Sequence, residues 1–209
     1  MLLFDDLAEV FSSHARQHIP NYDKVISKSL EICSDYSKDA AIVDVGCAVG
    51  ETLVRLHDRG FTNLYGVDDN SRMLKLCPKN LGITYIQDNS FNLEHNFDVV
   101  ILNWTLHFIE NKERYLKKVK HRLNSGGKLI ITDKTSKDEY PIKFYHNLKR
   151  LNGVTEKQII EKQQNIEQIM HINSPEWYLS TLKNVGFTDC YIFDADWCFT
   201  SFVCSKGVS

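Results

Sequence analysis

VDVGCAVGE, residues 43–51, is the stretch on which the reading of the whole chain turns. The apolar run AIVDV (41–45) leads into a turn that carries two glycines, Gly46 and Gly50. A run this short and apolar suits a strand buried on both faces. Gly46 lets the chain leave the strand sharply, and the lack of side chains at Gly46 and Gly50 lets a ligand approach the backbone. A helix starting near Gly50 and Glu51 would offer it free N–H groups. The same spacing also arises from tight packing alone, so the turn needs support from elsewhere in the chain.

Working outward, strand and helix patterns alternate. Residues 51–59 read as a helix closed by Gly60, LYGV (64–67) as a second strand, 71–76 as a helix and ITYI (83–86) as a third strand. FDVVIL (97–102) is a fourth strand. An amphipathic helix over 110–123 ends at NSGG (124–127), and KLIITD (128–133) is a fifth strand. Such alternation implies crossover connections and a mostly parallel sheet with helices on both faces, an α/β, doubly wound, Rossmann-like fold. Before it, residues 4–34 carry two helical patterns interrupted by Pro20, the first on Phe4, Leu7, Val10 and Phe11, the second on Tyr22, Val25, Ile26 and Leu30. After it, 141–170 reads as wholly helical and 175–185 as a helix stopped by Gly186. CYIFD (190–194) and FTSFVC (199–204) have no helix between them and read as a hairpin. One domain of 209 residues is expected: an N-terminal helical lid (1–37), a cofactor-binding core (38–133), a helical insertion over the sheet's carboxyl edge (134–174), and a helix with a terminal β-hairpin (175–209).

Composition narrows the function. With 25 basic and 27 acidic residues the net charge is −2, which does not suit a dedicated nucleic-acid binder. KERYLKKVKHR (112–122) fits a solvated helix face. The cysteines at 33, 47, 77, 190, 198 and 204 match no zinc spacing, so no metal is expected, and free thiols suit a reducing compartment. The N-terminus lacks the basic segment of a secretory signal, and no apolar run approaches the ~20 residues of a membrane span. A cytoplasmic protein is expected.

Ligands of doubly wound sheets sit beyond the carboxyl ends of the strands. There the second strand ends in Asp68, 22 residues after Gly46, where a carboxylate can accept both ribose hydroxyls. Capping the next helix is its structural alternative, although Asn70 and Ser71 are better placed for that. The third strand ends in Asp88 and Asn89, an acid for an adenine amino group and a backbone N–H for the ring. Ala48 stands where a dinucleotide site wants a second glycine. Together these features resemble the class I S-adenosylmethionine-dependent methyltransferases, which implies S-adenosyl-L-methionine as cofactor.

FDDLAEVF, IPNYDKVI, VDVGCAVGETL, LNWTLHFIE, LNSGGKLIITDK, LKRLNG and SPEWYLSTLKNVGF further resemble the carboxy-S-adenosylmethionine synthases over nearly the whole chain. That resemblance implies a cofactor contact from Tyr22, a methionine subsite at Gly46, Cys47 and Ala48, ribose contacts from Asp68 and Asp69, adenine contacts from Asp88 and Asn89, and Asn103 near the sulfonium. Where that family grips a carboxylate with an arginine, this chain has Thr181, which offers one neutral hydroxyl in place of a bidentate fork.

Aromatic faces stabilise a sulfonium, and Tyr22, Trp104 and Trp177 are candidates, each also suited to the core. His107, four residues past Asn103, is the candidate base, with covering the next helix as its structural alternative. His146 and His171 reach the pocket only if the insertion folds over it. Cys47 has no basic neighbour in sequence to activate it and reads as packing. The expectation is an S-adenosylmethionine-dependent transferase that methylates a small molecule, with chemistry on the cofactor itself (carboxy-S-adenosylmethionine synthesis from prephenate, as the resemblance implies, or cyclisation of the aminobutyryl tail), or a non-catalytic cofactor-binding subunit, as alternatives. The expected partner is a small molecule or nothing beyond the cofactor, with no nucleic acid and no membrane, and the insertion could serve a homodimer.

Overall fold

The computed structural model describes residues 8–167 and 169–208. The parallel core is β1 (Ile42–Val45), β2 (Leu64–Asp68), β3 (Thr84–Gln87), β4 (Phe97–Asn103) and β5 (Leu123–Lys134). β6 (Thr188–Asp196) and β7 (Phe199–Ser205) form the antiparallel hairpin, and the sheet order is β3-β2-β1-β4-β5-β7-β6. The order reverses between β1 and β4, which opens a crevice at their carboxyl ends. Burial follows position in the sheet. β1 and β4 are central and almost wholly buried, whereas β3, at the edge, is half exposed.

Alternation along the strands divides the core between the two faces. Val43, Val100 and Leu129 pack with α5 (Lys112–Arg122) and α8 (Pro175–Val185). Ile42, Ile101 and Ile130 pack with α2 (Tyr22–Cys33) and α3 (Glu51–Asp58). α4 (Ser71–Leu76) lies beside β2 and β3. No described helix is long and apolar enough to cross a membrane.

Two boundaries differ from expectation, each for a local reason. NSGG does not lie outside the strand. It belongs to β5, where Leu123 pairs with Phe97 and regular pairing resumes at Lys128 opposite Val99. Gly126, at φ +73°, takes the left-handed backbone that this irregularity needs. The insertion is two helices, α6 (Glu139–Leu151) and α7 (Glu156–Glu167), separated where Gly153 adopts φ +84°. The first N-terminal helix, α1, spans Phe11–His18, while Phe4 and Leu7 lie outside the described residues. Pro20 and the left-handed Asn21 separate α1 from α2. α1, α6 and α7 close a cavity over the carboxyl ends of β4 and β5.

Candidate active site

The loop after β1 is held from both sides. The Gly46 and Cys47 N–H groups donate to the Val67 carbonyl at 2.7 and 3.0 Å, and the Ala48 N–H donates to Asp68 Oδ2 at 2.8 Å. Gly46, Ala48 and Gly50 all have positive φ. The glycines are needed for a reason other than ligand approach. A Cβ at Gly46 would collide with the Thr105 hydroxyl, and one at Gly50 would come within 2.7 Å of the Tyr85 hydroxyl. Neighbouring side chains fill the space where each Cβ would stand.

A cleft of about 480 Å³ nevertheless lies against this loop, a size typical of small-molecule sites. It is lined by Gly46 and Ala48 after β1, Asp68 and Asp69 after β2, Asp88 and Asn89 after β3, and Trp104 after β4. An adjoining space of about 70 Å³ is lined by Tyr22, Cys47 and Asn103. Thus every expected cofactor contact borders one of two neighbouring spaces.

Asp68 does not cap α4. Asn70 does, accepting from the Arg72 and Met73 N–H groups. Asp68 Oδ1 accepts from the Asn70 N–H and Oδ2 from Ala48, so each oxygen keeps one lone pair for a ligand hydroxyl. Burial raises its pKa, with the Asn70 and Ala48 N–H groups acting the other way. Asp88 is more committed to its own turn. Oδ1 accepts from the Ser90 N–H and hydroxyl, and Oδ2 accepts from the Asn92 N–H at 2.9 Å. Burial acts to raise the Asp88 pKa, but these N–H groups outweigh it and the net shift is downward.

Asn103 is buried, its amide donating to Ser29 at 3.3 Å, while its Oδ1 has no partner among the described residues. Beside it the small space is also lined by Asp44, a residue that sequence reading passed over inside the buried strand. Burial pushes Asp44 up to about 7; a bond from Thr52 opposes this and the charge of Asp68 adds to it. An unpaired amide oxygen and a costly buried carboxyl fit a ligand that carries a cationic amino group. Cys47 packs: its hydrogen bond with Cys77 and its burial hold the thiol well above the usual range. Tyr22 stacks on Trp104 with ring centroids 4.8 Å apart, and burial holds its phenol protonated. Trp104, at φ +59°, borders both spaces. Trp177 does not join them. It packs on the α8 face of the core, beneath the Lys112 ammonium.

His107 is buried in a 3-10 turn, Leu106–Phe108. Its Nδ1 bonds to Asp133 Oδ1, and Asp133 Oδ2 accepts from the Tyr178 hydroxyl. A carboxylate on Nδ1 fixes the Nδ1–H tautomer and leaves the Nε2 lone pair free for a proton. Asp133 is the penultimate residue of β5 and Tyr178 sits on α8, so neither was visible as a partner in the sequence. His107 lines the cavity under α1, α6 and α7, as does His146. His171 meets the site only through its backbone, its N–H donating to the His107 carbonyl. Thr181 is buried in α8 and borders none of these spaces.

Known proteins agree with this architecture. A family model described as a methyltransferase domain matches residues 36–174, more than half of the chain. The carboxy-S-adenosyl-L-methionine synthase of Colwellia psychrerythraea is 28% identical over 220 residues, covering 96% of this chain and 90% of its own. A solved methyltransferase from Thermotoga maritima, described as a possible histamine N-methyltransferase, superimposes with a TM-score of 0.68 at 16% identity, covering 97% of both chains. Magnesium protoporphyrin IX methyltransferase from Synechocystis, solved with bound S-adenosylhomocysteine, gives a TM-score of 0.66 at 14% identity, covering 91% of this chain and 86% of that one. The strand order, the crevice and the family match lead to one statement: the chain belongs to the methyltransferase domain family, as a Rossmann-like transferase dependent on S-adenosyl-L-methionine.

Proposed function

We propose that the chain transfers a methyl group from S-adenosyl-L-methionine to a small-molecule acceptor. One observation carries this reading. A second cavity, of about 140 Å³, lies beyond Trp104 and Phe11 from the cofactor cleft and contains His107. Cyclisation of the cofactor's own aminobutyryl tail would need no such room.

When bound, S-adenosyl-L-methionine supplies a methyl group on a sulfonium leaving group. Asp68 and Asp69 serve the ribose, and Asn89 the adenine ring. Asp88 Oδ1 is spent on its own turn, while Oδ2, with one bond from Asn92, keeps a lone pair for the adenine amino group. Asp44 and Asn103 serve the amino-acid portion, and the stacked Tyr22–Trp104 pair offers its faces to the positive sulfur. On the acceptor side, a lone pair takes the methyl carbon as the carbon–sulfur bond breaks, and the proton that the acceptor loses passes to His107 Nε2. Asp133 then stabilises the imidazolium, held in turn by Tyr178. Six free cysteines suit a reducing compartment and support a cytoplasmic location.

A second reading, chemistry on the cofactor itself, is favoured by the full-length similarity to carboxy-S-adenosyl-L-methionine synthases. The buried Thr181, in place of a carboxylate-gripping arginine, weighs against it. Incubation with S-adenosyl-L-methionine alone and with prephenate as carboxyl donor separates the two, because consumption in either case without a methyl acceptor defeats methyl transfer. With an acceptor in hand, Asp133→Asn is expected to lower kcat by about 10² or more while S-adenosylhomocysteine affinity stays put. An unchanged kcat would remove His107 as the base.

A further inference from the structure

The cavity beyond Trp104 has the size of one aromatic ring. Its volume is about 140 Å³, and an apolar cavity of roughly 150 Å³ is enough to hold benzene. Much of its wall is apolar. Phe11, Trp104, Tyr145 and Phe199 supply ring surface, with Ile166 and Met170 beside them. Tyr145 and Phe199 already meet edge-on, their centroids 5.4 Å apart. A further ring placed among them gains contacts of the same kind.

The basic side chains of the wall are already engaged. Lys162 Nζ donates to His14 Nε2 at 2.6 Å. Lys134 and Lys149 lie 5.4 and 4.1 Å from the centre of the Tyr145 ring, and neither is without a partner. What stays open is uncharged. Burial, then the charges of Lys162 and Lys149, pushes His14 down to about 4. Burial, then Lys162, His14 and Lys149, takes His18 to about 3, so both rings are neutral at pH 7. Trp104 Nε1, which can only donate, and His18 Nδ1 are buried with no partner among the described residues. His107 Nε2 is an acceptor, because Nδ1 carries its proton toward Asp133. All three residues line the cavity. Trp104 and His107 thus offer one donor and one acceptor, the pair that a single hydroxyl satisfies.

Resting on the reading of this cavity as the acceptor pocket, we propose that the acceptor is an uncharged, single-ring phenol, its ring packed among the aromatic side chains and its hydroxyl donating to His107 Nε2 and accepting from Trp104 Nε1. A phenolic hydroxyl titrates near 10, as in tyrosine. That is close enough to an imidazole for general-base removal of its proton, which an aliphatic alcohol holds far more tightly. The phenol oxygen forms the new bond to the methyl carbon, and the electron pair of the breaking carbon–sulfur bond stays on sulfur. The hydroxyl proton passes to His107 Nε2, and the product is a neutral aryl methyl ether that can no longer donate to that nitrogen.

Calorimetry at saturating S-adenosylhomocysteine with phenol, anisole, toluene, benzoate and 1-naphthol tests this. Phenol is expected to bind about threefold or more tightly than anisole, which cannot donate, and about tenfold more tightly than toluene, which neither donates nor accepts. Benzoate should bind no more tightly than phenol, and 1-naphthol, with its second ring, about tenfold more weakly. Asp133→Asn keeps the side chain's shape but lets His107 Nδ1 accept, so that Nε2 carries the proton. The preference for phenol over anisole should then fall below about twofold. Should that variant fail to fold, the series on the parent protein decides by itself. Toluene binding as tightly as phenol overturns the inference. So does benzoate or 1-naphthol binding more tightly than phenol, or an unmoved preference in folded Asp133→Asn. Binding in the expected order with no methyl passed to phenol from S-adenosyl-L-methionine would overturn the methyl-transfer reading, whereas the wrong order with turnover of another acceptor would overturn only the phenol. Failure of S-adenosylhomocysteine to bind would defeat the cofactor reading, and the same series run without it still decides what the cavity takes.

Discussion

Asp68 shows how one carboxylate serves structure and ligand together. Its two oxygens already accept from the Ala48 and Asn70 backbones, so it ties the turn after β1 to the turn after β2. Asp68→Ala leaves both N–H groups without their acceptor, at a cost of about 1–3 kcal/mol if they stay buried. It also removes the ribose acceptor, so S-adenosylhomocysteine affinity should fall by about tenfold or more in calorimetry. Affinity that survives Asp68→Ala would end the ribose assignment. At this scale the sequence was legible where an acid ends a strand, since Asp68, Asp69, Asp88 and Asn89 all border the cleft. It was not legible where partners meet across the fold. Asp133 reads as the last residue of an apolar run and Tyr178 as one aromatic in a helix, and only packing joins them to His107. Asp44 escaped notice because a buried strand position suggests packing before chemistry.

Among the elements, α1 has the most distinctive solution behaviour. His14 and His18 are held neutral, at about 4 and about 3, against an ordinary value of 6.5. The unfolded chain therefore binds protons below pH 6.5 that the folded chain refuses, so stability falls as pH drops from 6.5 toward 4. For the buried His18 the slope reaches up to about 1.4 kcal/mol per pH unit. His18→Gln should flatten the melting temperature across that window while leaving it little changed above pH 7. An unaltered slope would show that His18 is not buried as a neutral ring. Element boundaries were legible where a cap marks them. Ser71–Leu76 and Pro175–Val185 were read as they stand, under the Asn70 and Ser174 caps. The break at Gly153 was missed because Lys, Glu and Gln continue a helical composition on both sides. NSGG was placed after the helix because its glycines look like a stop signal, whereas the pairing of Leu123 with Phe97 begins the strand early.

For the whole molecule, the reversal between β1 and β4 sets one cleft at the strand ends, and the helices before and after the parallel core roof a second. Trp104, emerging between them, is a wall of both. The first cleft could be anticipated from alternation alone. The second could not, because α1, α6 and α7 each show an ordinary polar face and become a basic cavity only when assembled. If the assembled cleft holds S-adenosylhomocysteine, ligand at a hundred times Kd should stabilise the fold by about 2.7 kcal/mol, a rise of roughly 5–11 °C in melting temperature. Asp44 gives that rise a pH dependence with a definite sign. Its folded pKa is raised to about 7 from 3.8, so without ligand it costs stability as pH climbs from 4 to 7. A ligand ammonium favours the ionised carboxyl, so affinity should be weaker at pH 6 than at pH 8. Asp44→Asn should abolish the difference, and an affinity that rises toward acid in the parent would mean that Asp44 does not meet the amino group.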